Sequence, residues 1–148
     1  MKVVEARKKK GIQDPAGNQP GAAIPVGNAL LEAGAANQTK LAGAPVKGPL
    51  FDFAPAIDQY LKTHLFGDIF ERDNLDWQSR ELATVSMLSV LPGVESQLQS
   101  HFRISMNVGL TESQLREVGR VLSNRVGESI GQRASEALDR QLAVAREN

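Results

Sequence analysis

The sequence predicts an all-α protein, and three observations carry that expectation. No stretch of useful length alternates apolar and polar residues with period two. From residue 54 onward, apolar residues recur near the 3.6-residue helical period in successive segments. Strong punctuation separates those segments: Asn74 and Asp76, Pro92-Gly93, Gly109 with Thr111, and Gly127.

Residues 1–10 hold five Lys/Arg against Glu5, a local +4, and predict the end of a solvated helix or a tag-like tail. Residues 11–50 are dense in Gly and Pro, so they predict an extended, wrapping arm with at most one short helix around residues 29–41. Ile24, Leu30, Leu31, Leu41 and Val46 give the arm enough apolar surface to dock on its own body or on a neighbouring subunit. The predicted organisation is therefore an N-terminal helix and arm over residues 1–53 and a helical domain over residues 54–148.

Within that domain, Ile57, Tyr60, Leu61, Leu65 and Phe66 mark a helix over residues 54–70. A second helix starts at an Asn74 or Asp76 cap and runs to Leu91. Its stretch from Leu82 to Leu91 is apolar nearly all round, which predicts a central buried helix. The third spans residues 94–107 and ends at Gly109, suited to a left-handed C-terminal position. Thr111-Glu112-Ser113-Gln114 is a capping box that opens the fourth. The last, over residues 128–146, carries Ile130, Ala134, Leu138 and Leu142 in one narrow stripe, expected to be an interface seam rather than a core face.

Composition removes several chemistries. The chain has 148 residues, 17 Lys/Arg against 17 Asp/Glu, and no Cys. Disulfides, thiolate metal sites and Cys nucleophiles from this chain are excluded. With only His64 and His101, no multi-His metal site is expected. From residue 51 onward ten basic residues face fourteen acidic ones, a −4 body poorly suited to nucleic acid. No apolar run approaches the ~20 residues of a membrane span. A soluble, cytoplasmic chain with neither nucleic-acid nor membrane partner is the expectation.

Two titratable groups fall among apolar positions. Glu81 shares a face with Val85 and Leu88, so it needs a partner. That partner is an Arg, such as Arg103 or one from another subunit, or else Glu81 has a functional role. His101 shares a face with Leu98, Ile104 and Val108, and reads either as a hydrogen-bonded core residue or as an acid/base group. A carboxylate on the adjacent helix favours the second reading. His64, one turn before Asp68, reads as a paired surface or interface His, or as a second polar group of a site. Arg72 and Arg80 flank an acidic loop and either tie it to Glu71, Asp73, Asp76 and Glu81 or clamp a substrate carboxylate.

The strings FGDIFERDNLD over residues 66–76, SRELAT over 79–84, His101 and NVGLTESQLREV over 107–118 resemble the carboxymuconolactone decarboxylase family, within the alkylhydroperoxidase D-like superfamily. The resemblance covers residues 55–125. It implies an all-helical fold, assembly as trimers or hexamers, and no metal or organic cofactor. In one branch it implies decarboxylation of a lactone acid in aromatic catabolism. The other branch relays protons through a Glu, a His and a Cys pair. The Glu falls on Glu81 and the His on His101, but Val94 and Gln97 stand near the Cys positions, so peroxidase chemistry of that type is not expected. The resemblance thus implies a carboxy-lyase for a small carboxylate, with His101 and Glu81 catalytic and Arg80, Arg72 and His64 binding substrate. A non-catalytic oligomeric binding or scaffold member is the alternative. Residues 3–12 resemble the last helix of a first module in tandem members, so a half-length member or a fragment is expected.

Overall fold

The structure, a computed structural model, describes residues 2–147. Met1 and Asn148, the outer limits of the two predicted regions, lie outside it. The helices are α1 (Lys2–Lys9), α2 (Asn28–Ala42), α3 (Pro49–Phe53), α4 (Pro55–Tyr60), α5 (Trp77–Val90), α6 (Glu95–Asn107), α7 (Glu112–Arg125) and α8 (Glu128–Glu147). A π-helix, Leu61–Ile69, continues directly from α4. No strand occurs among the described residues, so the fold is all-α. None of these helices is long and apolar enough to cross a membrane.

The core lies between α5, α6, α7 and α8. Val85, Leu98, Phe102, Leu115, Leu122, Ala134, Ala137 and Leu138 are all buried there. The stripe on α8 is therefore a core face of its own chain, which corrects the expected interface seam. Its narrowness follows from close backbone approach. A Cβ at Gly131 would collide with the Ser123 hydroxyl and the Gly119 carbonyl of α7, so small residues let the two helices touch. With the backbones that near, Ala134, Ala137 and Leu138 suffice to close the interior.

Helix α5 also departs from expectation. It buries Glu81, Val85 and Ser89 along one face, while Met87, Val90 and Leu91 are exposed. It is the edge of the four-helix core rather than its centre, since only that one face is buried. Local signals were more reliable. Asp76 caps α5, accepting from the Ser79 backbone N–H at 2.6 Å. The Thr111–Gln114 capping box forms in both directions. Gly109 takes φ 100° after α6, a backbone state that penalises any residue with a Cβ.

A second layer consists of α2 and the π-helix. A Cβ at Gly34 would collide with the Lys62 carbonyl and lie 2.9 Å from the Gly67 nitrogen, so the two backbones cross in direct contact. The Phe70 N–H reaches back five residues to the Leu65 carbonyl at 3.1 Å, where an unbroken α-helix would bond four back. The single helix expected over residues 54–70 is thus α4 plus a π segment, and Ala54, at φ −130° and ψ 71°, separates it from the unforeseen α3. Asn37 donates to the Phe66 carbonyl at 2.9 Å and to Glu71 Oε1 at 2.6 Å. Asn107 donates to the Leu41 carbonyl at 2.9 Å, tying the end of α2 to α6.

The arm between α1 and α2 docks on its own chain. The backbone N–H groups of Gly21 and Ala22 donate to the two Asp73 oxygens at 2.8 and 3.2 Å. Asn74 donates to the Asn18 carbonyl at 3.1 Å. Helix α1 is exposed along its whole length.

Candidate active site

Helix α5 begins at the Asp76 cap, so Glu81 falls in its second turn on the side facing α6. The carboxylate is 2% exposed. His101 stands on α6 four residues before the buried Ser105 and three after Leu98, at the margin of the core. Its Nδ1 lies 2.8 Å from Glu81 Oε2. The His101 side chain is 31% exposed, so the imidazole bridges a buried carboxylate and the surface. Within this chain Glu81 is held by His101, while Arg103 is exposed and does not bond to it. A buried carboxylate accepting at Nδ1 fixes the ring's orientation and places the proton there. Nε2 is left without a hydrogen-bond partner among the described residues.

The remaining expected site residues fall outside this pair. His64, on the π-helix, has a side chain 72% exposed and stands 3.7 Å from Asp68 Oδ2. Arg72 donates to Asp68 Oδ1 at 2.9 Å and to the Asp68 carbonyl at 3.1 Å. Arg72 therefore follows the loop-tying reading, with Asp68 as its acid rather than any of the four acids of the loop.

Arg80 behaves differently. Its guanidinium donates to the carbonyls of Leu75 and Arg72, both at 3.1 Å, and lies over the Phe70 ring at 5.6 Å. No acid bonds to it among the described residues. Partial burial, and then the nearby Arg72 charge, hold its pKa below the usual guanidinium value, while Asp76 pulls the other way. Trp77 completes this corner, donating to the Phe70 carbonyl at 3.1 Å with Lys40 above its ring at 4.6 Å. Neither Arg72 nor Arg80 bonds to Glu81 or His101.

Two clefts open elsewhere. One of about 570 Å³ lies between α5 and α7, and one of about 670 Å³ between α6 and α8. Neither is lined by His101 or Glu81. Gln141, in the second, is a residue the sequence reading missed, although it falls within the apolar stripe of α8, three residues after Leu138 and seven after Ala134. It is only 6% exposed. Its spacing of three, four and seven residues from Leu138, Ala137 and Ala134 is the signal that was available.

The family follows from the comparison with known proteins. A model of the carboxymuconolactone decarboxylase family matches residues 55–140. The chain belongs to the carboxymuconolactone decarboxylase family. The match extends past residue 125 and takes in α7 and much of α8, the helices that close the core over α6. Among curated proteins, a 4-carboxymuconolactone decarboxylase of Acinetobacter baylyi is 30% identical over 69 residues. That stretch is 47% of this chain and 51% of the relative, so the chain spans about half the length of the relative it matches.

Proposed function

We propose that this protein is a carboxy-lyase of the carboxymuconolactone decarboxylase type. It acts without metal or organic cofactor on a small lactone or cyclic carboxylic acid. The observation that carries the reading is the 2.8 Å bond between His101 Nδ1 and the buried Glu81. Loss of CO₂ breaks the bond to the carboxyl carbon and leaves its electron pair delocalised toward the lactone carbonyl. A carbon of the product then takes up a proton. In this reading the protonated His101 delivers that proton from Nε2 and regains it from water, while Glu81 holds the ring by Nδ1. Arg80 is the cation of the reading. Among the described residues no acid bonds to its guanidinium, although Asp76 is near enough to act on its charge, whereas Arg72 is already paired with Asp68. A guanidinium in that state suits a substrate carboxylate. With no Cys in the chain, dithiol peroxidase chemistry is outside its means.

A second reading, a non-catalytic binding member of the family, is favoured by one observation: the two larger clefts do not include the His101–Glu81 pair. Turnover separates the two. Incubation of the protein with carboxymuconolactone, followed by loss of lactone absorbance and release of CO₂, is expected to show consumption that His101→Ala abolishes. Equal turnover by wild type and His101→Ala would remove His101 from the chemistry, and no turnover of this or related lactone acids would favour the binding member.

A further inference from the structure

We propose that the apolar face of α3, α4 and the π-helix docks a second copy of this chain across a two-fold axis. The face carries both halves of a reciprocal contact. The knob is Phe53, 89% exposed at the end of α3, with Leu50 exposed one turn before it. The hole is an open groove of about 370 Å³ lined by Ile57, Tyr60, Leu61, His64 and Leu65. These residues follow Ile57 at three, four, seven and eight positions, so α4 and the π-helix turn them to one side. Phe53 leaves the groove of its own chain empty. Ala54, at φ −130° and ψ 71°, interrupts the helix between the two. Four residues separate Phe53 from Ile57, so knob and hole lie at most about 14 Å apart. An isologous contact needs that arrangement, since each copy gives its own knob and takes the other's.

Size and charge choose the occupant. Aromatic side chains of this kind bury about 150–250 Å² each, and Tyr60 is 71% exposed beside Phe53. With Leu50 and Ile57 added, the two sides of a symmetric contact come to about 1,000 Å², the size a specific interface must reach. The groove lining holds no Asp, Glu, Lys or Arg, so a charged peptide finds no counter-charge there. Residues 48–61 carry Asp52 and Asp58 and no Lys or Arg, which makes the face a poor match for an anionic lipid surface. A neutral aromatic knob suits the groove, and this chain presents one next to it. His64 stays at the solvent-facing rim of the contact.

The test is sedimentation equilibrium of the full chain over a concentration series, repeated with Phe53→Asp, Tyr60→Ser and His101→Ala. The wild-type assembly is expected to have twice the mass of Phe53→Asp at the same concentration. Self-association should weaken about a hundredfold or more, because a two-fold contact loses the residue on both sides. Tyr60→Ser is expected to weaken it about tenfold. Both positions are exposed, so the circular dichroism of the variants should match the wild type, which separates lost assembly from lost fold. His101→Ala is expected to keep the wild-type mass, so this test stands apart from the decarboxylase reading. Equal masses for the wild type and Phe53→Asp would overturn the proposal, as would a wild type that stays a single chain up to about 1 mM. Wild-type binding to phosphatidylcholine vesicles that Phe53→Asp loses, with no self-association in solution, would assign the face to lipid and overturn it as well.

Discussion

The molecule contains two histidine–carboxylate pairs, and they differ in nearly everything but composition. His101 and Glu81 belong to separate helices, bond at 2.8 Å, and rest on a carboxylate that is 2% exposed. His64 and Asp68 are one turn apart on the π-helix, 3.7 Å from each other, with His64 72% exposed and Asp68 shared with Arg72. A solvated carboxylate has water as an alternative partner, so it neither orients the ring nor loses much when the ring is removed. A buried carboxylate has no such alternative, and the imidazole becomes part of the packing. Tertiary placement makes one pair a candidate acid/base device and leaves the other a surface contact.

The largest expected consequence is in turnover. His101→Ala should reduce kcat/KM for a lactone acid about a hundredfold or more, the scale of a lost general acid. His64→Ala should change it less than about threefold, an effect typical of exposed sites. A comparable loss in both variants would erase the distinction. Next comes Glu81→Gln, which keeps the shape but lets the amide present N–H to Nδ1 and so favours the wrong tautomer. A fall in kcat of about tenfold is expected, with a smaller change in KM, since the loss is in proton transfer rather than in binding.

Stability sharpens the contrast further. Glu81→Ala removes a buried partner of His101 and leaves a cavity, and should lower the unfolding free energy by about 2–4 kcal/mol in denaturant titration. Asp68→Ala should cost about 1 kcal/mol or less, because its pairs are solvent-screened. The smallest effect concerns the cap that starts the Glu81 helix. The Ser79 backbone N–H holds the Asp76 pKa below the ordinary carboxylate value. A lowered folded-state pKa adds stability above the unfolded value, about 3.9, and loses it as pH falls through the folded value. The stability gap between wild type and Asp76→Ala should therefore be full at pH 7 and shrink below about pH 4.

What the sequence made legible was local. Asp76, Gly109 and the Thr111 box act within one helical turn, so residue identity alone locates those helix ends. The shared face of Glu81 with Val85, and of His101 with Leu98, was enough to bring the two helices' polar residues together as candidates. The partner choice between His101 and Arg103 was not legible, because it depends on how α5 and α6 are rotated against each other. The α8 stripe was misread for a related reason. Periodicity shows how wide an apolar face is, but not how close the facing backbone comes, and Gly131 against Gly119 decides that here. The π-helix was invisible for the same cause: its register answers to Gly34 crossing at Lys62 and Gly67, far away in the chain.

The orientation of His101 by Glu81 is the claim on which the rest depends, and nitrogen-15 spectra of the two imidazole side chains near neutral pH test it directly. The account predicts that His101 carries its proton on Nδ1, with a correlation lost in Glu81→Ala, while His64 shows the averaged signals of a solvated ring. An unprotonated Nδ1 on His101, or a His101 spectrum indistinguishable from that of His64, would contradict it.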